Sequence, residues 1–165
     1  MKQNSHSKVF ENRINILKSK LKESNIDLAL ITDDDNVYYY TGYYDYLHME
    51  FGRPTILIVP KEDKTILITP SVDAGLAEDE STVDHIETWN DGVGNEWREI
   101  IPRTLQNINC IAIEINHISA IVRNYLNTLV SQNKIVDVTP ITSDMRMIKS
   151  EEELKLARHT GEVGL

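Results

Sequence analysis

The chain has 165 residues, 41% of them hydrophobic and 26% charged, with a formal net charge of −9. That balance suits one soluble globular domain with its own core. It argues against a nucleic-acid partner, which needs clustered Lys and Arg, and no apolar run approaches the roughly 20 residues of a membrane span. The start, Met1-Lys2-Gln3-Asn4-Ser5-His6-Ser7, is polar and lacks the apolar core of a signal peptide. The single cysteine, Cys110, permits no internal disulfide. A cytoplasmic protein is expected. Cys110 stands in the apolar run Cys110-Ile111-Ala112-Ile113 and reads as a buried structural thiol rather than a nucleophile.

In chain order, Phe10, Ile14, Leu17 and Leu21 fall at helical spacing, which predicts a helix over 8–24. Asp27-Leu28-Ala29-Leu30-Ile31-Thr32 reads as a buried strand, and Asp33-Asp34-Asp35-Asn36 as a polar break. The β-branched runs 55–59 and 65–69 are strands, and the polar Pro60-Lys61-Glu62-Asp63-Lys64 between them makes a hairpin. A short helix is expected over 72–80 and a weak strand over 83–89. Asn95 is expected to cap a helix through Leu105, disturbed at Pro102. A buried strand over 111–115 follows. Ser119 opens a helix with Val122, Tyr125, Leu126 and Leu129 on one face, and 135–138 is a last short strand. Alternating helices and apolar strands give an α/β fold. The hairpin makes its sheet mixed, flanked by helices.

Ser150-Glu151-Glu152-Glu153 is a capping box with Ser150 as N-cap. Leu154 and Ala157 begin an apolar stripe, and no stop signal follows. The helix is therefore expected to lead onward, with residues 1–148 as one domain and 149–165 as the start of a linker into a C-terminal domain. The alternative is a tail helix docked on this domain.

Catalytic signals are sparse. His6, His48, His85, His117 and His159 form no His-x-x-x-His or His-x-His pair, so no metal ligand set can be assigned. Asp33-Asp34-Asp35 lacks the glycine and ligand spacing of a calcium loop and reads as a solvated turn. There is no phosphate loop, nucleophile elbow or Cys-x-x-Cys. Glu114, near a strand end, is a candidate functional residue; the other reading is that it pairs with a neighbour or faces solvent. The unusual segment is 36–54. Six of the seven tyrosines lie there, between Tyr38 and Tyr46. Rings with polar tips suit pockets and interfaces, which makes Tyr40, Tyr43, Tyr44 and the nearby His48 candidates; a packing cluster is the other reading. Phe51-Gly52-Arg53-Pro54 follows. Arg53 offers a planar fork suited to a carboxylate, Phe51 could wall the same pocket, and Pro54 restrains the aim of Arg53. A surface salt bridge is the other reading of Arg53.

At this point the sequence resembles the N-terminal domain of the creatinase/prolidase family, from about Val9 onward. Asn36-x-Tyr38-Tyr39-Tyr40-Thr41-Gly42 is similar to the family's Asn-x-x-Tyr-x-Thr-Gly turn. Phe51-Gly52-Arg53-Pro54 is similar to the stretch before the hairpin in creatinases. Asp144-Met145-Arg146-Met147-Ile148-Lys149-Ser150 resembles the linker into the catalytic domain. The resemblance implies a mixed, ribonuclease H-like sheet, no catalytic or metal-binding residue in this chain, and a missing C-terminal pita-bread domain that carries the chemistry. It implies a homodimer in which this domain reaches toward the partner's active site. It also implies substrate binding by Phe51 and Arg53, which match residues that help hold the substrate carboxylate in creatinases. If the parent is an Xaa-Pro dipeptidase or aminopeptidase, a divalent metal (Mn, Co or Zn) belongs to the missing domain; a creatinase works without one. Thr41-Gly42 is more prolidase-like. The leading expectation is a domain serving a hydrolase of a small carboxylated C–N substrate, creatine first. A peptidase N-domain is the runner-up, and a stand-alone ligand-binding or interaction module is the reading from another class.

Overall fold

A computed structural model describes residues 3–44, 54–90 and 96–163. Its helices are α1 (Gln3–Glu23), α2 (Asp34–Thr41), α3 (Ala74–Glu80), α4 (Trp97–Thr104), α5 (Ala120–Leu129), α6 (Thr139–Met147) and α7 (Glu151–Val163). Its strands are β1 (Leu28–Ile31), β2 (Ile56–Pro60), β3 (Ile66–Pro70), β4 (His85–Trp89), β5 (Ile111–Ile113) and β6 (Ile135–Asp137). The strands form one sheet in the order β4-β3-β2-β1-β5-β6. β2 runs antiparallel to both β1 and β3, while β1–β5, β3–β4 and β5–β6 are parallel. The mixed α/β architecture expected from the sequence is therefore present.

Side-chain alternation builds the layers. Ala29 and Ile31 of β1, with Leu57, Val59, Leu67 and Ala112, face a core closed by α1, α2, α3 and α6. Leu28 and Leu30, with Ile56, Ile58, Ile111 and Ile113, face a second core closed by α4 and α5. All four β1 residues are fully buried, as a central strand covered on both faces requires. The predicted stripe of α1 is the buried one, and Asn25, at φ 55, ends the helix in the left-handed region that Asn tolerates. Among the described residues no helix is long and apolar enough to cross a membrane.

Two helices depart from the expectation. Residues 33–36 are not a polar break. Asp33 is an N-cap whose Oδ1 accepts from the Asn36 N–H at 3.1 Å, and α2 follows with Asp34 and Asp35 in its positive first turn. The linker-like stretch from Asp144 to Ser150 begins inside helix α6, which ends at Met147. Asp137 Oδ1 accepts from the N–H and hydroxyl of Thr139 at its start, Pro140 sits in its first turn, and Thr142 and Met145 face the core. Pro102 does not break α4. The carbonyl that a proline leaves without its helical donor, that of Arg98, accepts the Tyr125 hydroxyl instead. The Asn95 cap expected for this helix lies outside the described residues.

Thr41-Gly42 terminates α2. The Thr41 hydroxyl donates to Val37 O at 2.7 Å and accepts the Tyr43 N–H at 3.0 Å. Gly42 has φ 83, and a Cβ there would lie 2.7 Å from Phe10 Cε2 and 3.2 Å from the Glu80 carbonyl oxygen. The dipeptide is thus a helix stop packed beneath α1. Gly42→Ala is expected to cost at least about 1–2 kcal/mol from the left-handed backbone alone, with the ring clash in addition. Urea unfolding checks this; an unchanged midpoint would show that the turn relaxes freely.

Candidate functional site

The carboxyl ends of β1 and β5 carry a chain of polar side chains and backbone N–H groups. Glu114 follows β5 and is 1% exposed. Its Oε2 accepts the N–H groups of Thr32 and Asp33 at 2.7 and 2.8 Å, and its Oε1 accepts Asn36 Nδ2 at 2.5 Å. Asn36 Oδ1 in turn accepts Arg146 Nη1 of α6 at 2.5 Å. The Asn36 amide therefore lies between a cation and an anion, with its oxygen toward the first and its NH₂ toward the second. Burial pushes the Glu114 carboxyl above the usual carboxylate range, while the Asp33 and Thr32 N–H groups and the Asn36 amide pull it back. Above this chain opens a groove of 370 Å³ lined by Asp33, Asn36, His117, Thr142, Arg146 and Lys149, among others. His117 Nδ1 lies 3.0 Å from Asp33 Oδ2. The arrangement can hold charge in place. Among the described residues no three His, Cys, Asp or Glu side chains converge as a metal site would require.

The tyrosine-rich segment divides by depth. Tyr40 and Tyr43 are fully buried. The Tyr40 hydroxyl pairs with Thr142 Oγ1 and that of Tyr43 with Thr69 Oγ1, each at 3.1 Å. Burial pushes the Tyr40 phenol well above its ordinary value. These two rings belong to the domain's own core. Tyr44 is half-buried, edge-on to Tyr38 at 6.2 Å, and Tyr38 is 46% exposed. His48, Phe51 and Arg53 lie outside the described residues.

Tyr39 has a use the spacing did not suggest. Its hydroxyl donates to Met145 O at 3.1 Å. The Arg13 guanidinium lies 4.1 Å from its ring centroid and that of Arg146 5.8 Å, both within cation–π reach. The capping box predicted at Ser150 is formed: Glu153 Oε2 accepts the Ser150 N–H at 2.8 Å and Ser150 Oγ accepts the Glu153 N–H at 3.2 Å. Asn36 and Arg146 stand inside recognisable motifs, but the Asn36–Glu114 bond spans 78 residues and the Arg146–Asn36 bond 110, and no local pattern encodes either.

The polarity of the Glu114–Asn36–Arg146 chain is testable. Glu114→Gln places an NH₂ against the Asn36 NH₂, and flipping either amide only moves the mismatch. Asn36→Asp places two carboxylates together. Each is expected to cost about 1–3 kcal/mol. Combined, they restore donor-to-acceptor order, so the double variant should recover at least about 1 kcal/mol relative to additivity. Urea unfolding of the four proteins reads the coupling; strict additivity would mean that the chain carries no such order.

Comparison with known proteins places this geometry. The family model described as Creatinase/Prolidase N-terminal domain matches residues 13–148. A creatinase of Bacillus sp. (strain B-0618) is 24% identical over 147 residues, which is 87% of this chain and 34% of that protein. A putative dipeptidase of Bacillus subtilis (strain 168) is 27% identical over 156 residues, 92% of this chain and 42% of that protein. This chain thus spans well under half the length of these relatives. Among solved structures, a proline dipeptidase from Streptococcus pneumoniae superposes with a TM-score of 0.71 at 23% identity, covering 82% of this chain and 98% of that one. The prolidase from Pyrococcus horikoshii gives 0.70 at 22%, covering 87% and 37%. These two likenesses carry the fold, and the family model carries the assignment: the chain belongs to the creatinase/prolidase N-terminal domain family.

Proposed function

We propose that this chain is the non-catalytic N-terminal domain of a creatinase-like hydrolase. In this reading α7 leads into a C-terminal domain that performs C–N bond hydrolysis, and this domain contributes dimer contacts and a grip on the substrate carboxylate through Arg53, with Phe51 beside it. The observation that carries the reading is the family match over residues 13–148 together with relatives that run to more than twice this length. Glu114 and Asn36 fit it as framework residues, holding backbone N–H groups and the Arg146 guanidinium.

A second reading is an Xaa-Pro dipeptidase or aminopeptidase, favoured by the relative named as a putative dipeptidase at 27% identity over 92% of the chain. Thr41-Gly42, the turn that stops α2, is the more prolidase-like feature and also favours this reading. Under the peptidase reading a divalent metal sits in the C-terminal domain.

In the longer protein, Arg53→Ala should remove charge-assisted hydrogen bonds worth about 1.5–3 kcal/mol, or roughly 10- to 150-fold in kcat/KM. The loss should fall mainly on KM, since a remote carboxylate is held alike in ground and transition states. Arg53→Lys should recover part of it. Assays on creatine and on an Xaa-Pro dipeptide identify the substrate. An unchanged KM for a folded Arg53→Ala protein sinks the proposed grip.

A further inference from the structure

α7 lies against the domain at its beginning. Glu153 and Leu154 are half-buried, whereas Lys155 and the side chains over 157–162 are exposed. The preceding link offers little packing, with Met147 69% and Ile148 82% exposed. Cavities of 460 and 420 Å³ open along the same seam and share Val9, Arg13, Tyr39, Lys149, Ser150 and Glu153. Among the described side chains, close packing therefore does not fix the angle at which α7 departs.

We propose that Arg13 is the positioning residue that sets this angle. Its side chain is only 12% exposed although it carries a charge. Nη1 donates to Tyr39 O at 2.8 Å, and the guanidinium lies over the Tyr39 ring. α1 and α2 thus hold the fork before α7 is considered. Nη2 then meets Glu153 Oε1 at 3.1 Å. The other oxygen of Glu153 closes the capping box on the Ser150 N–H. One carboxylate therefore both starts α7 and ties it to the domain, so the first turn cannot rotate without breaking the cap or the ion pair. A lysine cannot reproduce this, because a point charge lacks the planar fork that serves two acceptors in fixed directions. Tyr39, whose hydroxyl donates to Met145 O, extends the same support to α6. The tie is a property of this chain alone. Its consequence for how two domains face each other rests on the reading given above.

The experiment uses the 165-residue chain with nitroxide labels at Asn15→Cys and Arg158→Cys, both exposed positions, in a Cys110→Ala background. Pulsed electron–electron resonance reads the distance between α1 and the middle of α7. The parent should give a single narrow distribution. Arg13→Met, which keeps an apolar stem, should lose that narrow peak, and Arg13→Lys should not restore it. Glu153→Gln, which leaves the core untouched and keeps a capping side chain, should also broaden the distribution, and it serves alone if Arg13→Met fails to fold. A broad parent distribution, or a narrow one retained in the Arg13 and Glu153 variants, overturns the proposal. Neither result depends on any enzyme activity, so the substrate reading stands or falls separately.

Discussion

The parallel pairing of β1 with β5 is held at each end by a carboxylate, and the arrangement is reciprocal. At the start of β1, Asp27 Oδ2 accepts the Asn109 and Cys110 N–H groups that lead into β5, at 2.7 and 3.0 Å. At the end of β5, Glu114 accepts the Thr32 and Asp33 N–H groups that leave β1. Each acid reaches across to the other strand's backbone. A parallel ladder is slightly weaker per residue than an antiparallel one, and this one has only three paired positions. The two acids extend it at both ends. They differ in solvation: the Lys61 hydrogen bond holds the Asp27 carboxyl below the usual range, while burial pushes Glu114 above it.

The inner staple has further reach. A buried carboxylate needs donors for its remaining lone pairs, and Glu114 obtains one from Asn36 in the first turn of α2. Asn36 then draws in Arg146 and with it α6. Once α2 is fixed, Tyr39 and Tyr40 project one turn further along, where they meet Met145 O and Thr142. The aromatic density of this segment is thus spent first on closing the domain. Among its described residues, Tyr38 stays at the surface and the Arg13–Tyr39 seat lies beside α7.

Much of this frame was legible in the sequence. The hairpin, strand β1 and the caps at Ser119 and Ser150 are local signals, and each lies where its residues suggest, whereas the strand expected over 111–115 stops at Ile113 and leaves Ile115 exposed. α2 was obscured because tyrosines count neither as plainly apolar nor as polar, so no stripe could be drawn. Its real markers were Asp33 before it and Gly42 after it. The acids over 33–35 look like a solvated turn unless the helix they precede is recognised. α6 was missed because its inward residues, Thr142 and Met145, are one polar and one apolar. The Glu114 chain was not legible, since its partners are tertiary neighbours. Of the residues nominated for a site, Tyr40 and Tyr43 are core, and Phe51, Arg53 and His48 lie outside the described residues.

The same topology bears on how the chain matures during synthesis. β1 can pair with β2 as soon as the hairpin emerges, and β4 completes that half of the sheet. The other edge of β1 must wait for a strand 82 residues further on, counted from Thr32 to Glu114. Until then the nascent protein presents an open strand whose four side chains are all destined for burial, the kind of edge that recruits neighbouring chains. The reciprocal staples cannot help before residues 109–114 exist. Ribosome pausing or truncation between β4 and β5 should therefore be the most aggregation-prone interval in the life of this domain.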